Sequence, residues 1–455
     1  MDTTSMIVRP EATRPEFSAG RGSAGCLLAL SLAALSAPVC AQVPGNTEAV
    51  QKVEGELTLG GYWSDNIRQT RINPQAGEVA QVGAKFLVHE QSRRSALDLD
   101  VNAVYERYFG NQFNSGLVGG LHGSGAFALV PDVLTWRVED TLSQGRISPF
   151  DSATPENRQN INYFRMGPDL QFRLSDRNTL TLDARYASVT YQVSPFDSNR
   201  YEGGVTVARA ISQGQIVSLH ARTESIKYKQ FGSVADSDRR EGFLRYDVRG
   251  ERTVAVLDGG YTQVDLAMGK HNGALARLSL ERELTSMLHL GLRGGWQITD
   301  AASIFRDTLN QTRMGLDVQS AANTTETVEE RRAGADLAFQ GRRTFASLGV
   351  ERSTENYQLT NSLDRRITRV SLAVRRTLAG NLAGYLDGRY GSEHYDVSAA
   401  RVVDKYGSLG LDWRTGRSLG VRLGYEIRSR SGNGPVIVSD EQRVTLTANW
   451  HPWTK

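Results

Sequence analysis

From Val53 to the C-terminal end the chain alternates apolar and polar residues with a period of two. The last segment is the clearest. Val444, Leu446, Ala448 and Trp450 fall on one side, and Arg443, Thr445, Thr447 and Asn449 on the other. Successive side chains of a strand point to opposite faces, so such a segment has one apolar and one polar face. Leu419, Val421, Leu423, Tyr425 and Ile427 repeat the pattern, as do Leu288, Leu290, Leu292, Trp296 and Ile298, and Leu97, Leu99, Val101 and Ala103. No helical interruption is expected anywhere in this run.

The connectors between these segments take turns in length. Short ones include Pro131-Asp132, Ser175-Asp176-Arg177, Gly250-Glu251, Gly341-Arg342-Arg343 and Gly416-Arg417. Long ones cover 64–77, 145–160, 229–238, 299–330 and 429–441. A soluble sandwich also alternates, but nothing makes its loops segregate in this way. Short periplasmic turns opposite long extracellular loops are the mark of an outer-membrane barrel. The segments predict an all-β, transmembrane, up-and-down antiparallel β-barrel of about 20 strands, each suited to a tilted span of ~9–11 residues. The count falls to about 18 if the weakly patterned stretches 200–211 and 253–265 are not strands. Aromatics sort toward the two ends. Trp63, Tyr105, Tyr186, Tyr228, Tyr261, Trp296, Tyr357, Tyr390 and Tyr425 lie toward the loops, and Phe127, Phe172, Phe339, Trp413 and Trp450 toward the turns, which predicts two interfacial belts.

Composition narrows the reading. Mean hydropathy is -0.39, too polar for a bundle of helices that each need ~20 mostly apolar residues. A formal charge of +3 gives no reason to expect a nucleic-acid partner. The exception to the polar average is N-terminal. Arg9, Arg14 and Arg21 precede the apolar run Cys26–Leu35, and Val39-Cys40-Ala41 comes after it. Basic region, short apolar core and small-residue site predict a signal peptide over residues 1–41, cleaved near Ala41. Residues 42–52 then form a short periplasmic segment, too short for a plug domain, and 53–453 form the barrel. Both cysteines, Cys26 and Cys40, fall inside the signal, so no disulfide is expected in the mature chain.

Catalytic chemistry is not expected. The seven histidines are dispersed, with no pair at metal-ligand spacing. His122 and Ser124 share a face, but the strand–elbow–helix context that exposes a nucleophilic serine is missing, so both read as lumen lining. Neither a cofactor nor a metal is predicted. What stands out is the charged inward face, whose candidate lumen-lining residues are Arg165, Arg185, Arg222, Arg245, Arg293, Arg369, Arg389, Arg414, Arg422 and Glu426. Charges are costly in hydrocarbon, so their collection on one side requires a wet interior or lumenal pairing. The longest connector, 300–330, carries Asp300, Asp307, Asp317, Glu326, Glu329 and Glu330 against Arg306 and Arg313. It is the candidate constriction loop, with Asp307, Asp317, Glu326, Glu329 and Glu330 as the residues that would dock on basic wall positions. Two loops share a pentapeptide, Ser148-Pro149-Phe150-Asp151-Ser152 and Ser194-Pro195-Phe196-Asp197-Ser198. Turn chemistry explains it; a shared carbohydrate or partner contact is the alternative.

The opening strand and loop, Leu57-Thr58-Leu59-Gly60-Gly61-Tyr62-Trp63-Ser64-Asp65-Asn66-Ile67-Arg68, resemble the first strand of β-barrel porins found in exopolysaccharide operons and with surface-sorting systems. The barrel layout extends this resemblance over about 53–453. It implies a non-enzymatic barrel that passes a polar solute and assists exopolysaccharide export or surface display. The rival readings are a general diffusion porin and a structural or adhesive surface barrel with a closed lumen. Expected partners are outer-membrane lipid and lipopolysaccharide, the barrel assembly machinery, and polysaccharide or periplasmic export components. The chain departs from common barrel endings, because Trp453 is succeeded by Thr454-Lys455 rather than closing on an aromatic.

Overall fold

The computed structural model describes residues 50–311, 324–359, 361–416 and 418–454. The predicted signal peptide and all but the last residues of the 42–52 segment lie outside the described residues, as does Asp317. Twenty strands account for most of what is described: β1 (Val50–Ser64), β2 (Gly77–Gln91), β3 (Ser95–Tyr108), β4 (Gly116–Val130), β5 (Leu134–Arg146), β6 (Arg158–Arg173), β7 (Asn178–Tyr191), β8 (Ser198–Ser212), β9 (Gln215–Tyr228) and β10 (Ser237–Arg249). The second half comprises β11 (Thr253–Leu266), β12 (Gly269–Thr285), β13 (Leu288–Asp300), β14 (Thr327–Gln340), β15 (Thr344–Tyr357), β16 (Arg365–Ala379), β17 (Leu382–Tyr395), β18 (Arg401–Thr415), β19 (Leu419–Gly432) and β20 (Ser439–Thr454). The stretches with weak patterning, 200–211 and 253–265, are β8 and β11, so the count is 20 and not 18.

Each strand pairs antiparallel with the next, and β1 pairs with β20, with Tyr62 opposite Thr445 and Leu57 opposite Trp450. The sheet therefore closes into an up-and-down barrel with no free edge, which lets every strand satisfy its backbone groups on both sides. Several ladders slip by a residue next to their short turns, at Ala128/Val130, Ala210/Ser212, Glu283/Thr285 and Thr377/Ala379. Bulges of this kind increase local twist and bend the wall at its rim. In the Pro131-Asp132 turn, Asp132 takes a left-handed φ of 61°, a conformation that Asp tolerates better than bulky residues do.

The alternation sorts onto two surfaces as the pleat requires. Leu409, Leu423 and Leu446 point outward with 54%, 49% and 56% exposure, and their strand neighbours at odd spacing face the lumen. A large exposed apolar surface on a monomer marks contact with an apolar phase. The turn-end girdle of Phe127, Phe172, Phe339, Trp413 and Trp450 is exposed throughout. The loop-end belt is only partly as predicted. Trp63, Tyr105, Tyr261 and Trp296 face outward, but Tyr228 and Tyr357 are buried on the lumen side. They occupy the opposite parity of the pleat, where Tyr357 donates to Glu355 at 2.9 Å.

The expectation of a run without helical interruption fails in the loops: single 3-10 turns stand at Pro155–Asn157, Gly232–Val234 and Asn361–Leu363, and one longer helix follows β13. Residues Ala301–Gln311 form a helix, α1, between β13 and β14. Eleven residues are marginal for an isolated helix in water, so α1 depends on tertiary packing and on its N-terminal cap.

Candidate functional site

Asp300, the last residue of β13, is the N-cap of α1. Its Oδ1 accepts the backbone N–H groups of Ala302 at 3.1 Å and Ser303 at 3.2 Å, and its Oδ2 accepts the Ser303 hydroxyl at 2.6 Å. Asp is among the preferred N-caps because its carboxylate satisfies the free N–H groups of the first turn. The same carboxylate is held from the far wall. Arg200 of β8 donates through both terminal nitrogens, at 2.9 and 2.6 Å. Bidentate guanidinium–carboxylate pairs are strong and geometrically specific. Arg200 is fully buried and also reaches Glu224 of β9, which in turn pairs with Arg239 of β10.

The apolar side of α1 completes the docking. Ala302 and Phe305 pack with Ile161 and Tyr163 of β6 and Ala187 and Val189 of β7. Ile304 packs against Val328 of β14 and Tyr357 of β15. The helix therefore touches walls separated by several strands and runs across the interior. Arg306 lies over the Tyr163 ring, 4.9 Å from its centre, and donates to the Tyr163 hydroxyl at 3.1 Å. Burial opposes its charge, yet the Tyr163 phenol and the Asp307 and Glu202 carboxylates overcome that and hold its pKa well above the ordinary value. It enters the lumen as a fixed cation.

Beneath α1 lies a cavity of about 380 Å³. Arg306 and Asp307 roof it, and its walls are Glu139, Arg165, Asp183, Glu202, Arg222, Glu224, Arg239, Glu241 and Arg277 from strands β5 to β12. Most of these charges are cross-linked. Arg165 forks onto Glu202, and Arg277 reaches both Glu241 at 3.5 Å and Asp258 at 3.7 Å. Phe243 stacks on His220 with ring centres 4.6 Å apart, and Arg222, Arg245 and Arg277 surround it. The chamber is a lattice of donors and acceptors of both signs, rather than a surface of one charge.

The other predicted wall residues keep to the inward parity. Arg185 and Arg137 share Asp169, Arg245 forks onto Asp258 at 2.7 and 2.8 Å, and Arg293 pairs with Asp336. Arg369 meets Glu351 at 3.1 Å, Arg389 covers the Tyr406 ring, and Glu426 accepts from Arg428 at 3.0 Å. Arg422 donates to Asp412 at 2.6 Å and lies over Tyr385. The Tyr385 ring lies across the backbone of the next two strands, where Cβ atoms on Gly410 or Gly424 would collide with it. Arg414 shares the parity of Asp412 near the turn end of β18 and is exposed. His122 shares a hydrogen bond with Thr141 at 3.3 Å.

The constriction candidates divide. Asp307 roofs the chamber, and Glu326 precedes β14. Glu329 and Glu330 belong to β14 itself and so are not loop residues. Glu330 is buried inward beside Arg332 and accepts from Gln297 at 3.1 Å. Glu329 departs further from the expected docking on the inner wall. One residue away in the pleat it faces outward, accepting from the Trp296 indole at 2.8 Å and from Arg331 at 2.7 Å. The dominant acidic contact, Asp300 with Arg200, involves a basic residue outside the candidate set. Arg200 opens a weakly patterned strand, and its partner lies far along the sequence.

A second segment covers the mouth. Arg146 at the end of β5 pairs with Asp404 of β18 at 3.3 Å, and Arg430 of β19 bonds the Pro149 carbonyl and Asp404. Phe150 packs on Tyr395, and the backbone N–H of Ile437 donates to the Phe150 carbonyl at 3.1 Å. The other pentapeptide stays local, with Phe196 between Tyr191 and Phe231. The two copies make different contacts, as turn chemistry alone would allow. Among the described residues no group of His, Cys, Asp and Glu is placed to hold a metal ion.

No family model matches the chain, and no curated protein matches it. Among solved structures it is similar to a mutant of the ferric enterobactin receptor PfeA from Pseudomonas aeruginosa, with 9% identity over 89% of this chain and 81% of that one and a TM-score of 0.47. It is also similar to the siderophore receptor PirA from Acinetobacter baumannii, with 9% identity, coverage of 89% and 81%, and a TM-score of 0.46. The FrpB iron transporter from Neisseria meningitidis, F5-1 variant, gives 8% identity, coverage of 88% and 82%, and 0.45. The barrel is established by its own strand pairing and not by these likenesses.

Proposed function

We propose that the protein is an outer-membrane β-barrel of a Gram-negative bacterium, delivered by a signal peptide cleaved near Ala41 and inserted by the barrel assembly machinery. Its short turns face the periplasm and its long loops the exterior. It provides passage for a polar solute and assists exopolysaccharide export or surface display. The observation that carries this reading is the charged chamber of about 380 Å³ enclosed by a wall whose outer face is apolar. Donors and acceptors of both signs suit a hydroxyl-rich solute, which can exchange hydrogen bonds along the wall without meeting one dominant charge.

The crossing helix and the 147–157 loop favour a regulated passage over a general diffusion porin. They also support a second reading, a surface barrel with a closed lumen. Reconstitution in planar bilayers and liposomes separates the two. A regulated passage gives low conductance that rises when α1 is removed, with uptake of neutral oligosaccharides of graded length. A barrel that admits no oligosaccharide even without α1 sinks the transport reading. Loss of surface polysaccharide on gene deletion tests the export role.

A further inference from the structure

We propose that the outer face of β17–β19 carries a binding site for the phosphorylated headgroup of an outer-leaflet lipid, centred on Arg401 and Lys405. An open groove of about 370 Å³ is lined there by Tyr390, Arg401, Val403, Lys405, Ser431 and Asn433. These residues belong to the outward parity or to the loop after β19. Tyr390 stands directly opposite Lys405, and Val403 directly opposite Ser431. Further toward the turns, the outward row becomes apolar, with Leu386 opposite Leu409 and Leu409 opposite Tyr425. The groove thus lies at the loop-side edge of the apolar band, level with lipid headgroups rather than acyl chains, and Tyr390 suits that level by having both an apolar body and a polar tip.

The charges in it are left available. Several outward-facing cations elsewhere on the loop side are neutralised by the protein: Arg366 by Asp396 at 2.6 Å, Arg240 by Asp265 at 3.5 Å and Arg331 by Glu329 at 2.7 Å. Neither Arg401 nor Lys405 has a carboxylate partner among the described residues. Two unneutralised cations beside the Ser431 hydroxyl form a donor set for a phosphate, with the Asn433 side chain tying Arg401 and Ala399 together beneath it: the guanidinium can fork onto two oxygens, and the ammonium supplies a point charge. Acyl chains of the same lipid would then run down over Leu386, Leu409 and Tyr425.

This inference rests on the outer-membrane reading, and the test keeps the two apart. The full barrel, folded in detergent, is titrated with lipid A, with the same lipid after removal of its phosphates, and with inorganic phosphate alone. Binding of lipid A should weaken roughly thirtyfold in the Arg401→Ala/Lys405→Ala double variant, taking about fivefold for each cation at a membrane surface. Arg240→Ala, which removes a cation already neutralised, should leave it unchanged. The dephosphorylated lipid should not distinguish wild type from the double variant. Equal binding of lipid A by both overturns the site. Inorganic phosphate binding as tightly as lipid A overturns the assignment to a lipid. Retention of heat-modifiable migration confirms that the double variant is folded. Separately, fractionation that places the protein outside the outer membrane would refute the location while leaving these titrations readable.

Discussion

Arg200 is the largest fully buried side chain among the described residues, and its position explains how a long loop is fixed inside a wet barrel. A guanidinium without solvent exposure is tolerable only when it is paired, and here it holds the residue that also caps α1. Arg200→Ala strands Asp300 as a buried carboxylate and should cost about 3–5 kcal/mol, as broken buried pairs do. Urea unfolding of the reconstituted barrel measures this, and limited proteolysis should cut within 301–311. The double change Arg200→Met/Asp300→Leu removes both charges together and should restore most of the unfolding energy, although α1 loses its cap. Equal losses in the single and double variants would mean that the ion pair contributes little. On the opposite surface, Leu409→Arg places a charge on the lipid face well inside the apolar band. It should destabilise the barrel by about 2–4 kcal/mol if that row lies near the bilayer midplane. A change within a few tenths would show that Leu409 meets water.

At the scale of elements, the strands were legible and the helix was not, for physical reasons. A strand with one face in lipid and one in water must alternate, so β18 to β20 can be read from Leu409, Leu411, Leu423 and Leu446 directly. Where the lumen face carries aromatics, as at Tyr228 and Tyr357, the same rule misassigns the belt, because composition does not reveal which parity a tyrosine occupies. The helix α1 has its apolar residues at 301, 302, 304, 305 and 309, a stripe confined to eleven residues between two strands, and its stability comes from β6, β7 and Arg200. Long-range partners of that kind are invisible in a single sequence. Connector lengths largely distinguish the two ends of the barrel, but β13, β14, β19 and β20 take in residues expected in the long loops, and the loop-end connector 267–268 between β11 and β12 is as short as a turn. Cysteines placed singly at Asn433 should react with an impermeant maleimide on intact cells, and those at Asp132 or Arg342 should not. No cysteine lies beyond Cys40 to confuse the signal. Labelling at the turn positions would invert the proposed orientation.

For the molecule as a whole, the question is what keeps a 20-stranded barrel from leaking. Barrels of roughly 16–18 strands already enclose an aqueous channel, and larger ones need something inside. Two segments take that place. The helix α1 joins the β14–β15 side to β6 and β7, while the 147–157 loop joins the end of β5 to β17–β19 and to the loop before β20. They hold different sectors, so each should block a different part of the opening. Deleting residues 305–326 removes most of α1 and the connection from it to β14, but leaves Asp300 and the strand closure between β1 and β20 intact. Single-channel conductance should rise, and cells should become more sensitive to bulky antibiotics that the wild type excludes. The crossing loop would still obstruct its own sector, so weakening it as well, with Arg430→Ala and Phe150→Ala, should raise conductance further than either change alone. If the deletion leaves conductance unchanged in a barrel that still migrates as folded, α1 is only a brace for β6–β8. In that case the 147–157 loop alone sets the width of the passage, and the double change at Arg430 and Phe150 should account for the whole increase.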